Sequence, residues 1–218
     1  MPATPLDIIV ISDVICPWCF IGSRRLTQVL DTMRDEIEPR IQYRPFLLDA
    51  TVPPEGADLR DRLRRKYGVD PEQMFARIEE AAQATGIPLD FTKVRRTPNT
   101  IPAHTLLRHA ASKGTQLALS DALFVAYFLE GQDISQTEVL TRLASQHGFG
   151  VEEVERLLAD PLEAEATRGE ALSAAHAGVN GVPYFVFNNK LSFSGAQPAH
   201  VFRAAIQQAA GSEKTRPT

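Results

Sequence analysis

The sequence predicts an α/β domain: a strand-helix-strand opening, a long helical block, and a strand-strand-helix close. Three observations carry this. An apolar, β-branched run at residues 6–14 (LDIIVISDV) leads straight into Cys16-Pro17-Trp18-Cys19 and a helical stretch to about residue 34. Helix-start and helix-stop residues then recur between residues 57 and 176. Two short runs, 183–187 and 190–194, alternate and flank Asn188-Asn189 as the arms of a hairpin do.

Taken in order, residues 6–14 read as a buried strand because the run is apolar with little alternation. Pro17 suits the first position of the following helix. Residues 41–46 form a second strand candidate with weak alternation, and Pro53-Pro54 marks a loop. The stretch from 57 to 176 reads as helical throughout. In it, Asp70-Pro71-Glu72-Gln73 offers an N-cap, a first-turn proline and a Gln at the third position. Ser135 with Glu138, and Asp160 with Glu163, read as capping-box starts. Gly68, Gly86, Gly114, Gly131 and Gly148 fall where helices should stop. Residues 122–129 are apolar all round, which marks the buried centre of the block. Residues 198–210 form a last amphipathic helix and 211–218 a polar tail. There is no internal repeat. The expected organisation is 1–54 and 177–211 as two parts of one domain, 55–176 as a helical insertion, and 212–218 as the tail.

Composition bounds the function. Hydrophobic residues make up 44% and charged residues 23% of 218, so the chain buries a full core without needing disulfides. With 23 basic and 27 acidic residues the net charge is −4, which argues against a general nucleic-acid binder. The longest apolar run, 122–129, falls far short of the roughly 20 residues of a membrane span. Residues 1–6 carry no Lys or Arg, and the run 8–11 is shorter than a signal-peptide core of about 7–15 residues. The expected compartment is the cytoplasm.

The only two cysteines, Cys16 and Cys19, are three positions apart. A structural staple gains most by closing a long loop, and in a reducing compartment C-x-x-C points to redox or metal chemistry. At a strand-to-helix junction, a thiol at Cys16 meets the unpaired N–H groups and positive end of the helix, which favour the thiolate. Cys19, one turn on, is then the buried partner that resolves a mixed disulfide. Two alternatives stand beside this: a structural pair, and half of a zinc site completed by His104 and His109, whose distance from Cys19 greatly exceeds the usual 12–15 or so. Gly181-Val182-Pro183-Tyr184 opens the third strand. A bare X-Pro bond is cis in only about 5–6% of cases, so this motif by itself reads as a strand start.

A strand ending in Cys-Pro-x-Cys, a helical block, and Val-Pro opening a hairpin together resemble the DsbA family of thiol:disulfide oxidoreductases. Within it the chain looks like the FrnE-like branch, which is similar to the 2-hydroxychromene-2-carboxylate isomerases and kappa-class glutathione transferases. The matching stretches are 12–22 (SDVICPWCFIG), 98–104 (PNTIPAH), 126–134 (AYFLEGQDI) and 178–198 (GVNGVPYFVFNNKLSFSGAQP). The resemblance implies a thioredoxin-like fold interrupted by an all-helical insertion, and a cis Val182–Pro183 bond beside the cysteines. It implies thiol:disulfide exchange with Cys16 and Cys19 as catalytic residues. Pro17, Trp18, Val182, Pro183, Asn99 and His104 fall on the substrate side. The length of the helical block, about 115 residues, and its apolar central helix predict in addition that the insertion walls the cleft and covers the sulfurs. The implied partners are protein or small-molecule thiols and disulfides, acting as a monomer or homodimer. No tightly bound cofactor is implied, and glutathione enters as thiol donor or ligand.

The isomerase and transferase relatives carry serine where this chain has Cys16, so the rival reading, a glutathione-dependent isomerase or transferase of small aromatic compounds, loses its signature residue here. Strongly oxidising members carry Pro-His between the cysteines. Trp18 offers the thiolate no cation, which places the expected potential nearer the reducing end of about −270 to −120 mV. Among weaker features, Asp13 reads as a turn or cap residue, with proton acceptance for Cys19 as its functional alternative. Thr100 is a natural N-cap and a ligand candidate. Residues 62–66 (RLRRK) have Asp58 and Asp61 beside them and read as a solvated helix face. His147, His176 and His200 have no convergent partners, and Glu152, Glu153 and Glu155 suit a helix start.

Overall fold

A computed structural model describes residues 2–211; the polar tail 212–218 expected from the sequence lies outside the described residues. Strand β1 (Thr4–Ser12) runs into helix α1 (Pro17–Asp31), and strand β2 (Ile37–Pro45) follows. β1 and β2 pair in parallel, with Ile8 opposite Ile41. The chain returns to this sheet only with β5 (Tyr184–Phe187) and β6 (Leu191–Ser194), giving the order β2-β1-β5-β6 with β5 and β6 antiparallel to their neighbours. The hairpin expected from the sequence is present. Asn188 and Asn189 both take the left-handed backbone (φ 48° and 53°) that a two-residue turn requires.

Between β2 and β5 stand α2 (Leu59–Tyr67), α3 (Glu72–Gln83), α4 (Ile101–Ser112), α5 (Gln116–Phe124), α6 (Thr137–Ser145), α7 (Val151–Ala159) and α8 (Pro161–His176), with α9 (Ala199–Gly211) closing the chain. No helix among the described residues is long and apolar enough to cross a membrane. Residues 122–129 do form the buried centre of the block, but as two geometries: α5 passes into a π-helical turn, Val125–Leu129. Just past that turn stands Gly131 (φ 67°), where a Cβ would lie 2.5 Å from the Lys93 carbonyl oxygen. Only glycine permits so close a backbone approach.

Other expectations shift. The block is not helical throughout: residues 84–100 are largely irregular, and β3 (Ala57–Asp58) pairs with β4 (Arg96–Thr97) as a small second sheet. Pro88, Asp90 and Pro98 suit such a connection. β2 begins at Ile37 rather than 41, because parallel pairing with β1 starts at Thr4 opposite Ile37; Pro39 and the exposed Arg40 conceal it in the sequence. α3 has Pro71, not Asp70, at its N-cap position. α6 starts at Thr137 because the Asp133 carboxylate takes the Ser135 N–H (3.0 Å) and hydroxyl (2.6 Å) in a turn of its own. The Asp160 cap holds, its side chain accepting from Leu162 N at 2.9 Å.

Two cores meet at α1. Leu26, Val29 and Leu30 on its second half pack with Ile8, Val10, Phe185, Phe202 and Ile206 against the sheet and α9. Cys19, Phe20 and Ile21 on its first half pack into the helical block, where Phe20 stacks on Phe124 at 5.2 Å and on Phe128 at 5.9 Å. The open edge of β2 is closed by a side chain. Buried Gln116 accepts from Tyr43 N at 2.8 Å and donates to Tyr43 O at 3.0 Å, standing in for a neighbouring strand. The opening turn of α1 is thereby wedged between sheet and helical block.

Candidate active site

Cys16 occupies the N-cap position of α1, extended at φ −89° and ψ 113°, with Pro17 as the first helical residue. Its N–H donates to Asp13 O at 3.0 Å, and its carbonyl accepts from Cys19 N (3.0 Å) and Phe20 N (3.2 Å). Both thiols are free. Cys16 is 3% exposed, Cys19 0%, and Trp18 between them 39%. The Val182–Pro183 peptide bond is cis, and the Cys16 thiol donates to Val182 O at 3.7 Å. Gly22, one turn past Cys19, makes this closeness possible: a Cβ there would lie 3.1 Å from both Pro183 Cγ and Phe185 Cζ.

The two sulfurs sit in different surroundings. Cys16 lines an apolar cleft of about 220 Å³; Cys19 does not border it. Burial pushes the Cys19 thiol well above its ordinary value, and the adjacent Cys16 adds to this; the Ser12 hydroxyl and the Asp13 backbone N–H beside it pull the other way.

Pro17, Trp18 and Val182 line the cleft with Cys16, whereas Pro183 packs on Gly22. Asn99 and His104 do not line it. The Asn99 amide donates to Val52 O at 2.9 Å, and its carbonyl oxygen accepts from Ile101 N at 3.1 Å, so this residue, rather than Thr100, caps α4 through its side chain. His104 is buried, with Nε2 on Asp13 Oδ1 at 3.2 Å. The Asp13 carboxylate, also fully buried, accepts from Leu48 N at 2.8 Å as well. The zinc reading fails on geometry: His104 faces Asp13 and His109 faces Glu163 (2.9 Å), and no group of three or more metal-ligating side chains exists among the described residues.

The insertion does wall the cleft, through residues to which the sequence analysis gave no place in it. Leu63, Met74, Phe75, Ile78, Tyr127 and Phe128 form its apolar side, and Arg62 and Lys66 its rim. The solvated-face reading holds for Arg64, Arg65 and Lys66, which are exposed, and is corrected for Arg62 and Leu63, which are partly buried against the cleft. Arg62 donates to Asp49 Oδ2 at 2.7 Å, and Lys66 to Leu48 O at 3.0 Å. The Arg62 guanidinium lowers the Asp49 carboxyl to about 2. The signal was present: Leu59, Leu63 and Tyr67 recur at helical spacing, as do Phe75, Ile78 and Ala82, the mark of faces turned to a core.

A free thiol at a helix start, a second buried one turn on, and a Val-Pro segment across from them form one geometric unit. The chain matches the DSBA-like thioredoxin domain over residues 7–207. It belongs to that family. The thioredoxin-like fold with a helical insertion is that of a probable DsbA oxidoreductase from Streptomyces coelicolor, 33% identical, with a TM-score of 0.85 over 98% of this chain and 92% of that one. The uncharacterized protein YwbO of Bacillus subtilis is 26% identical, over 90% of this chain and 94% of its own length. A 2-hydroxychromene-2-carboxylate isomerase shares the fold at 17% identity, with a TM-score of 0.72 over 97% of this chain and all of that one. This DSBA-like chain keeps both cysteines of the pair at the head of α1.

Proposed function

We propose that this DSBA-like protein is a thiol:disulfide oxidoreductase working through Cys16 and Cys19. The observation that carries the reading is the asymmetry of the pair: Cys16 at the helix start opens onto the cleft, while Cys19 is fully enclosed behind it. Cys16 thiolate attacks a substrate disulfide R–S–S–R′, forming a Cys16–S–S–R bond and releasing R′–S⁻. Cys19 loses its proton and attacks Cys16 Sγ, releasing R–S⁻ and leaving the Cys16–Cys19 disulfide. The substrate is reduced and the enzyme oxidised. Run in reverse, the same steps oxidise a dithiol.

The chemistry needs no tightly bound cofactor. A thiol donor such as glutathione recycles the pair in the cytoplasm. Apolar walls of this size suit a small-molecule disulfide or an apolar side chain next to a protein disulfide. The test is turnover of a disulfide-bonded protein such as insulin with glutathione as reductant, run beside isomerisation of a chromene carboxylate. Disulfide turnover abolished by Cys16→Ser is the expected result. Chromene turnover without disulfide turnover overturns the reading in favour of the isomerase.

A further inference from the structure

Exchange at Cys16 needs the Val182–Pro183 segment to keep its distance from the head of α1, because both border the place where a substrate sulfur reacts. The segment is tied to the turn after β6: Gly195 N donates to Pro183 O at 2.8 Å. Gly195 is left-handed (φ 83°), and the chain folds back on itself there, with Gln197 N on Gly195 O at 2.9 Å. Arg25 of α1 grips this turn. Its Nη1 donates to Ala196 O at 2.5 Å and to Gln197 O at 3.4 Å, and its Nε donates to Thr85 Oγ1 at 3.2 Å. Buried Thr85 is fastened in turn, its hydroxyl donating to Ala81 O at 3.1 Å and its carbonyl accepting from Gln28 Nε2 at 3.1 Å.

All three partners of Arg25 are neutral oxygens, and no carboxylate pairs with it among the described residues. Its neighbour Arg24, by contrast, has Asp121 at 3.0 Å. Arg25 is half-buried, and burial pushes its guanidinium below its ordinary value. A charge drawn out of water without a counter-charge costs stability. A neutral side chain would avoid that cost, but only the planar fork of arginine reaches two elements at once.

We propose that Arg25 is a positioning residue for disulfide exchange: by gripping the Gly195–Gln197 turn from α1, it fixes the separation of Cys16 from the Val182–Pro183 segment. The inference rests on the function proposed above. Arg25 does not border the cleft. It stands nine residues beyond Cys16, about 13 Å along α1 at the helical rise, so it touches neither substrate nor sulfur. It acts through a chain of contacts: Nη1 on Ala196 O, Gly195 N on Pro183 O, and the Cys16 thiol on Val182 O at 3.7 Å. Gly22, between Arg25 and Cys16, is where the segment rests on the helix, since a Cβ there would meet Pro183 Cγ at 3.1 Å. In each attack the entering, central and leaving sulfurs must line up within the cleft that Cys16 and Val182 both border. A misplacement of about 1 Å in such an arrangement costs about a hundredfold in rate.

A chromogenic aryl disulfide separates the two steps, because Cys16 attack and Cys19 attack each release one coloured thiolate. Iodoacetamide reacts with Cys16 without three sulfurs to align, so it reports the thiol alone. Wild type, Arg25→Met and Arg25→Lys are compared as full-length reduced proteins by both reactions and by backbone hydrogen exchange. Arg25→Met should slow both disulfide phases by about tenfold to a hundredfold and keep alkylation of Cys16 within about twofold, because only the first reaction depends on alignment. Its amide exchange should rise in residues 181–198 and not in β1 or β2, a pattern no general loss of stability produces. Arg25→Lys, a point charge in place of a fork, should give disulfide rates between those of Arg25→Met and wild type. If the methionine variant does not fold, the lysine variant carries the test: slowed disulfide attack with unchanged alkylation supports the assignment, and wild-type disulfide rates overturn it. Wild-type disulfide rates in Arg25→Met, alkylation slowed in the same proportion, or amide exchange raised throughout the chain each overturn it as well. A wild-type protein that releases no thiolate overturns the proposed function instead.

Discussion

Gly22→Ala adds a single methyl group where α1 meets the Val-Pro segment, and two opposing terms set its effect. Alanine in a helix interior is favoured over glycine by about 1 kcal/mol. Against this, the new Cβ stands 3.1 Å from Pro183 Cγ and Phe185 Cζ and 3.4 Å from Phe185 Cε2. Phe185 cannot yield easily: it is fully buried, with the Phe202 ring at 4.9 Å and the Phe193 ring at 5.4 Å. Pro183 is held by Gly195 N, which donates to its carbonyl at 2.8 Å. Overpacking of this kind costs about 1–3 kcal/mol, so the net change is a loss of up to about 2 kcal/mol. At about 2–4 °C per kcal/mol for a domain of this size, the midpoint falls by up to about 8 °C. A protein with about 5–15 kcal/mol of stability stays folded at 25 °C after such a loss. Any fall in exchange rate therefore reports geometry, because the methyl pushes α1 from Pro183 and loosens the Cys16–Val182 contact. Urea melts of the reduced protein, paired with the first-phase rate on an aryl disulfide, read both quantities. A variant more stable by about 1 kcal/mol with an unchanged rate would show that the interface relaxes freely and would refute the reasoning.

Phe128→Ala should cost about 3–5 kcal/mol in urea melts, because this buried ring joins Phe20, Tyr127 and Phe91 and also walls the cleft; a loss under about 1 kcal/mol would show that the cleft collapses to fill the space. His104→Ala leaves a buried Asp13 oxygen without its partner and should cost about 1–3 kcal/mol by the same measurement; an unchanged midpoint contradicts the pairing. The Asp49 carboxyl, at about 2 in the folded chain against about 3.9 unfolded, contributes stability that is present above about pH 4 and lost as pH falls toward 2. Asp49→Asn should flatten that limb of an acid titration. For Cys19 the sign is opposite. Its raised folded value gives the reduced protein stability that is present below about pH 8.5, the free-thiol value, and lost as pH rises above it. Cys19→Ala should remove the decline between about pH 8.5 and 10, below the range where the buried Tyr43 and Tyr127 hydroxyls add their own, and a decline that persists in that window contradicts the burial of the thiol.

Features set by neighbouring residues were legible in the sequence. The strand–Cys16–Pro17–helix junction, the Asn188-Asn189 turn and the Asp160 cap are each decided within a few positions. What escaped depends on partners far along the chain. Arg62 looked solvated beside Asp58 and Asp61, but its partner is Asp49 in the preceding loop. Asn99 looked like a ligand, but Val52 O takes its amide, and His104 is claimed by Asp13 across the fold. The π-helical turn had no local signal either, since residues 125–129 are as apolar as an ordinary buried helix, and the close approach of Gly131 to Lys93 emerges only once the helices pack.

Mass spectrometry of trapped mixed disulfides tests the central claim most directly. Cys19→Ser protein, isolated from cells under acid quench and digested without reductant, should carry thiol adducts on Cys16, because attack proceeds and resolution cannot. Cys16→Ser protein treated in the same way should carry none on Cys19, which has no exposed surface. Adducts absent from the first variant, or equally abundant on both, would contradict the assignment of Cys16 as nucleophile and Cys19 as resolver.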